Sequence, residues 1–344
     1  MKEINTSVKK SFVKKIFIKI CRLFGYEIID QSNFSVPSQN KSLNDNLNIH
    51  GSKSITLPLG EVKVTRKINA LTIIFRSCTS VKMLTQSKER LFNKDKNEYT
   101  FRSLHSIISS LQQAKENFPG IKFNIIVIDH NSNKNDLNQI KNQLNNSKLE
   151  NLILSLDVNE FKNEIKKINA ENKEVTQNQI SNMSNIHKSF IIAKKQCKDL
   201  IYFVEDDYLH KIDAISEMIY AYERISSQIG KELILCPIDY PYLYSKVDNT
   251  NIFLGATKHW RAIGETLVTF FTSVDMLHKH WDKFTSMCKY EHYPFEKPLH
   301  EIYKTEWCLS PIPSLAFHCT NINSIYGLSP TLDWKKIWED NKNY

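Results

Sequence analysis

The chain lacks several patterns that would define its class at once. Its seven cysteines form no C-x-x-C pair, and their odd number and wide spacing indicate neither a zinc knuckle nor a disulfide framework. No run of about 20 apolar residues is present to span a bilayer. The longest candidate, 12–24, is interrupted by basic residues, which also exclude a signal peptide. We therefore expect a cytoplasmic protein with reduced thiols.

The composition also excludes some classes of partner. Hydrophobic residues make up 41% of the chain and charged residues 24%, as in ordinary soluble globular proteins. The net charge of +9 fits a nucleic acid, an anionic membrane or an anionic small substrate. Because no RNA-recognition module and no helix-turn-helix signature is visible, we expect no nucleic-acid partner.

A basic amphipathic helix is predicted at residues 8–26, ending at Gly25. Apolar residues recur on one face at helical spacing, and lysines fill the other face. These apolar residues are Phe12, Val13, Ile16, Phe17, Ile20, Leu23 and Phe24. Such a helix suits an anionic membrane surface, here the inner face of the cell membrane. The sequence leaves open the alternative that the helix packs on the protein's own core with its basic face in solvent.

The rest of the chain predicts an α/β fold after a polar linker. Residues 1–30 carry the helix, 31–68 the linker and 69–344 the remaining domain. Short apolar strands alternate with amphipathic helices, which indicates a parallel sheet covered by helices. The strands are Leu71–Phe75, Phe123–Ile128, Leu152–Leu156 and Leu200–Val204, and the helices are 99–117, 135–145 and 184–197.

The sharpest local signal is the acidic run Glu205-Asp206-Asp207, which directly follows the strand Leu200–Val204. Adjacent carboxylates repel one another, and a divalent cation would offset that repulsion. In an extended chain Glu205 and Asp207 would share one side. The alternative is an acidic cluster at a helix start, but that would place the acids nearer 210–214. Since ligands bind at the carboxyl ends of such strands, we favour a metal site.

These residues give the chain a resemblance to GT-A glycosyltransferases, particularly the family 2-like group. Val204–Leu209 resembles their DXD-type motif, and five other segments agree in order and type. These are Ile73–Ser77, Val127–Ser132, Asn185–Lys195, Trp260–Phe271 and Ser310–His318. The resemblance implies a Rossmann-like, mostly parallel central sheet flanked by helices. Residues 69–210 would bind the nucleotide sugar and 211–344 the acceptor.

The resemblance also implies roles for individual residues. Metal ligands for Mn²⁺ or Mg²⁺ would be Glu205, Asp207 and His318. Donor contacts would be Arg76, Ser77, Asp129, Lys188 and Asp206, with Lys194 as a further cation. The general base of an inverting transfer would be Glu306, with Glu301 and then Glu265 as further candidates, and Trp260 and Trp307 would stack on acceptor sugars. Core packing of His318 and both tryptophans, and surface positions for the lysines and acids, remain open.

The implied reaction moves a sugar from a UDP- or GDP-sugar to a cell-envelope glycan or lipid-linked acceptor. Two other functions stay open. A nucleotidyltransferase could use the same acidic site, although segment 76–90 lacks the glycine-rich basic loop usual in such enzymes. A non-catalytic peripheral membrane protein could instead use the basic helix alone.

Overall fold

The computed structural model describes residues 12–26, 53–55, 61–80, 91–245, 250–320, 322 and 324–344. The chain divides into two compact units. The first takes in 1–67, 219–231 and 253–257, and the second 68–218, 232–252 and 258–344. Most of the predicted linker and residues 8–11 of the predicted helix lie outside the described residues. The predicted domain boundaries stay predictions.

The first unit contains helix α1 (Phe12–Leu23) and an antiparallel pair of strands, β1 (Lys53–Ile55) and β2 (Glu61–Lys63). The predicted helix is confirmed over the described part of 8–26. Gly25 ends it with a φ of +80°, a left-handed conformation that glycine adopts without strain. No helix in the described ranges is long and apolar enough to cross a membrane.

In the second unit, the predicted alternation of strands and helices is confirmed. The elements are β3 (Ala70–Ser77), α2 (Lys96–Asn117), β4 (Lys122–Asp129), α3 (Lys134–Ser147), β5 (Glu150–Ser155), α4 (Gln177–Gln196) and β6 (Leu200–Glu205). Helix α4 begins at Gln177, earlier than predicted, because the Thr176 side chain accepts a hydrogen bond from the Gln179 amide and caps a polar first turn.

The helices and strands after β6 are short, apart from α5. They are β7 (Tyr208–His210), α5 (Ala214–Ile229), β8 (Leu233–Leu235), β9 (Ile252–Leu254), β10 (His259–Ala262), β11 (Phe270–Ser273), α6 (Val274–Lys279), α7 (Trp281–Lys289), α8 (Lys297–Tyr303), β12 (Trp307–Ile312), β13 (Ala316–His318) and α9 (Trp334–Asp340). Helix α5 and strand β9 each contribute residues to both units.

The central sheet of the second unit has the predicted, mostly parallel α/β character. Its strands are hydrogen-bonded in the order β5-β4-β3-β6-β11-β8-β12-β10. β5, β4, β3 and β6 run parallel to one another, and β8 runs parallel to β12. β11 is antiparallel to both β6 and β8, and β10 is antiparallel to β12. Helix α4 packs on β3 and β4, and α3 packs on β5. β5 is the edge strand of this sheet, and its Leu152 side chain is exposed, although the apolar pattern predicted a sheet covered by helices.

Two smaller contacts bring distant residues to the end of β6. β7 pairs antiparallel with β13, with Tyr208 opposite His318, so a late segment lies beside the acidic turn. The start of α2 is held by an aromatic cluster in which Trp338 stacks on Phe92, with ring centroids 4.0 Å apart, and contacts Tyr99 at 4.9 Å. The C-terminal helix α9 thereby fixes the turn of α2 that carries Lys96.

Candidate active site

A cavity of about 790 Å³ opens at the carboxyl ends of β3 and β6. All three residues of the acidic run line it, together with residues from the start of α2, from α4, and from the segments 169–174 and 291–296. The carboxyl ends of parallel strands are where ligands bind in α/β sheets. The acidic run therefore lies where the sequence predicted, facing a space large enough for a small-molecule ligand.

The three acids do not alternate along an extended strand, because β6 ends at Glu205 and the chain turns at Asp206 and Asp207. Glu205 forms an ion pair with Arg76 at 2.9 Å. Asp206 forms a short ion pair with Lys96 and also accepts hydrogen bonds from the Thr100 hydroxyl, at 2.9 Å, and the Cys78 amide, at 3.0 Å. Cationic and hydrogen-bonding partners thus offset the repulsion between these two neighbouring carboxylates.

Asp207 has a different partner, the imidazole of His318. Asp207 Oδ2 lies 3.1 Å from His318 Nε2 and accepts a hydrogen bond from the Thr320 hydroxyl at 3.0 Å. Burial disfavours the charged form of each group, but their mutual attraction outweighs it. The pKa of Asp207 is therefore lowered and the pKa of His318 is raised. The acid and the histidine that the sequence paired as ligands are in direct contact.

A divalent cation at this point would depend on Asp207 and His318. No group of three or more His, Cys, Asp or Glu side chains in the described ranges is arranged to hold a metal. Asp207 Oδ2 and His318 Nε2 lie 3.1 Å apart, so one cation could contact both once the imidazole has lost its proton. The residues present fit a cation with two protein ligands whose other positions are filled by diphosphate oxygens and water. The ligand role of Glu205 stays a prediction.

The predicted donor contacts differ in whether they line the cavity. Arg76, Ser77 and Asp206 line the cavity. Asp129, at the end of β4, accepts a hydrogen bond from the Ser77 hydroxyl at 2.7 Å and so holds that hydroxyl in position. Lys188 and Lys194 do not line the cavity: Lys188 pairs with Glu160 at 2.5 Å, and Lys194 lies over the Trp281 ring. On α4 the cavity is lined by amides instead, including Asn182 and Asn185.

None of the three predicted bases lines the cavity. Glu306 is buried against Lys279 and His280, each at 2.8 Å, and Glu301 is exposed beside Lys304. Glu265 accepts a hydrogen bond from the Tyr326 hydroxyl at 3.1 Å. The assignment of the base to one of these residues stays a prediction, although each carboxylate already has a partner elsewhere.

The cavity wall carries another acid, Glu296, which the sequence did not single out. Desolvation raises the pKa of its carboxyl to about 7, and the charge of Glu205 adds to the rise. Glu296 is the residue before α8, but its side chain makes no capping hydrogen bond. Among the hydrogen bonds and ion pairs of the described residues, none to another side chain involves this carboxylate. The two residues before Glu296, Pro294 and Phe295, give no sequence signal that would distinguish it from a surface acid.

The predicted acceptor tryptophans are core residues. Trp260 is 0% exposed and donates to Glu217 at 3.1 Å, and Trp307 is 2% exposed within β12. Their position inside the sheet leaves no ring face open to a sugar. Aromatic side chains at the cavity come instead from Tyr99 on α2 and from the loop after α7, where His292, Tyr293 and Phe295 are lining residues.

Lys96 is a second site residue that sequence analysis missed. It is the first residue of α2 and lines the cavity beside Asp206. A cation is unfavourable at a helix N-terminus, where the helix dipole favours acids. This misplaced charge in the first turn is the signal that could have identified it.

Lys96→Met should destabilise the protein because it leaves the Asp206 carboxylate without its cation. The Lys96 and Asp206 side chains are only 14% and 12% exposed. We expect the free energy of unfolding in urea to fall by about 3 kcal/mol. The double variant Lys96→Met/Asp206→Asn should recover most of this loss because it removes the unpaired charge.

The matched control is Lys336→Met, because the Lys336–Asp340 pair is 66% and 56% exposed. Its expected cost is below about 1 kcal/mol. A double variant no more stable than Lys96→Met would show that the lysine stabilises the fold by packing and not by its charge.

No protein-family model and no curated protein matches the chain. Solved structures match it at low similarity. A UDP-glucose pyrophosphorylase complexed with UDP-glucose has a TM-score of 0.37 at 7% identity, covering 79% of this chain and 97% of that chain. The galactosyltransferase LgtC, in complex with donor and acceptor sugar analogs, has a TM-score of 0.36 at 9% identity, and the match covers 79% of this chain and 95% of that chain. The inositol-1-phosphate CTP transferase from T. maritima has a TM-score of 0.37 at 9% identity, and the match covers 80% of this chain and 97% of that chain. Likeness of this degree carries no information about activity, which rests on the chain's own residues.

Proposed function

We propose that this chain is a metal-dependent glycosyltransferase of the GT-A type. It would transfer a sugar, with inversion, from a UDP- or GDP-sugar to a cell-envelope glycan or lipid-linked acceptor. The observation that carries the proposal is the contact of Asp207 with His318 at a cavity-lining acidic turn that follows a parallel strand. Carboxylate and imidazole ligands beside a space of about 790 Å³ suit a cation that shares a diphosphate.

The donor would lie along the ends of β3 and β4 and the first half of α4. Ser77 is oriented by Asp129, and Asn182 accepts a hydrogen bond from Arg76 at 3.1 Å, so polar groups on two elements hold fixed positions. In the structure Arg76 pairs with Glu205 and Lys96 pairs with Asp206 at this cavity. When a diphosphate binds, these two cations can shift their hydrogen bonds toward its oxygens, because charge-assisted contacts to phosphate are strong.

The difficult part of sugar transfer is the departure of the nucleoside diphosphate, which gathers negative charge. A bound Mn²⁺ or Mg²⁺ supplies Lewis-acid stabilisation of that charge. Asp207 and His318 would hold the cation, while Arg76 and Lys96 place two positive charges at the cavity. Preorganised charges of this kind stabilise the transition state without rearranging during the reaction.

Inversion also needs a base that takes the proton of the acceptor hydroxyl. Glu296 lines the cavity, whereas Glu306, Glu301 and Glu265 do not. A carboxyl with a pKa of about 7 is ionised in part at neutral pH and is a stronger base than an ordinary glutamate. We therefore assign the role of base to Glu296 within this proposal. The aromatic side chains of 292–295 provide faces on which an acceptor sugar can pack.

The first test is hydrolysis of nucleotide sugars. The purified full chain is incubated with UDP- and GDP-sugars in Mn²⁺, in Mg²⁺ or in EDTA. We expect slow release of UDP or GDP from one donor class with metal, and at least tenfold less with EDTA, because the leaving group loses its Lewis acid. Pyrophosphate release from a nucleoside triphosphate and a sugar phosphate would instead establish nucleotidyl transfer. Metal-independent release would contradict the proposed role of Asp207 and His318.

A further inference from the structure

Helix α1 exposes its apolar face. Its apolar residues Phe12, Val13, Ile16, Phe17, Ile20 and Leu23 are all exposed, with Phe17 at 58% and Leu23 at 81%. Phe24 and Tyr26 continue this face beyond the helix end and are 75% and 71% exposed. Isolated exposed hydrophobic residues are common, but a continuous apolar stripe along a helix marks an interaction surface.

The opposite side of α1 carries one sign of charge. Helical periodicity places Lys19 and Arg22 outside the apolar stripe. Segment 12–26 contains no Asp or Glu. Lys19 and Arg22 are exposed. A partner that covers the stripe would therefore meet apolar side chains flanked by positive charge.

We infer that α1 docks on the surface of an anionic lipid bilayer. Such a bilayer supplies both an apolar layer for the phenylalanine and leucine side chains and negative headgroups for the basic residues. A second copy of the chain would bring two cationic helices together and oppose its own association. The inference concerns the first compact unit and does not depend on the proposed enzymatic activity.

The test is cosedimentation of the full chain with vesicles of phosphatidylcholine alone or with about one third phosphatidylserine, at physiological salt. Binding should require phosphatidylserine. Phe17→Ser/Leu23→Ser should weaken binding at least about tenfold because it removes two membrane-facing side chains. Lys19→Gln/Arg22→Gln should weaken it roughly thirtyfold on the anionic vesicles. Circular dichroism would confirm that each variant is folded.

The matched control is Ile212→Ser/Ile325→Ser, which removes two apolar residues that are 52% and 54% exposed elsewhere on the surface. This control should bind vesicles as the unaltered chain does. Equal binding by Phe17→Ser/Leu23→Ser and the unaltered chain would overturn the inference, as would equal binding to both kinds of vesicle. Failure to bind vesicles, combined with self-association that Phe17→Ser/Leu23→Ser abolishes, would assign the stripe to a second copy.

Discussion

If the proposed function holds, Asp207→Asn should reduce metal-dependent sugar transfer by about 10²–10³-fold, because the cation would lose its anionic protein ligand and several kcal/mol of charge stabilisation with it. The variant should remain folded. Asparagine keeps an oxygen for the Thr320 hydroxyl, and a neutral His318 can replace the imidazolium once the carboxylate is gone. The measurement is transfer rate in Mn²⁺ together with calorimetric titration of the nucleotide, with and without metal.

The titration separates a metal role from a structural one. Nucleotide affinity of the unaltered chain should depend on the metal, whereas Asp207→Asn should bind equally weakly with or without it. Asp340→Asn is the matched control, because its carboxylate is 56% exposed in the pair with Lys336 on the C-terminal helix. Unchanged metal-dependent affinity in Asp207→Asn would remove the basis of the proposed function.

The parts of the fold predicted from sequence are those with a continuous local signal. β3, β4 and β6 are rich in β-branched and aromatic residues, so the sequence pattern alone identifies them. β7 and β13 are three-residue strands without periodicity, and their pairing depends on contact between segments far apart in the chain. The exposure of β5 also escapes prediction, because the same apolar run serves a central strand or an edge strand.

The residues of the candidate site also divide into those with a local sequence signal and those that depend on contacts between distant segments. The acidic run was predicted because its position directly after a buried strand places it at a ligand-binding edge. Its partners were harder to find: Lys96 and Glu296 come from segments far from β6 in sequence, and only tertiary packing brings them to the cavity. Trp260 and Trp307, in contrast, were predicted at the site but do not line the cavity. Aromatic residues beside a polar loop can stack on sugars or fill a core, and here the sheet buries both.

Glu296→Gln should lower the rate of transfer to the acceptor by about 10²–10⁴-fold, the usual contribution of a general base. Donor affinity should change little, since the proposed role concerns the acceptor hydroxyl. In the unaltered chain the rate should rise with pH through about 7, because the carboxyl must be ionised to accept a proton and its pKa is raised to about 7. The variant should lose this pH dependence.

Four other glutamates make the experiment decisive. Glu306→Gln, Glu301→Gln and Glu265→Gln test the bases predicted from sequence, and Glu339→Gln is a control on an exposed ion pair. If Glu296 is the base, Glu339→Gln should retain the full rate. The variants of Glu306, Glu301 and Glu265 should keep the pH dependence, even where the loss of an ion pair lowers the rate. A loss of the pH dependence confined to Glu306→Gln would return the role to the buried carboxylate beside His280. It would also imply that the acceptor approaches from outside the cavity, since Glu306 does not line it.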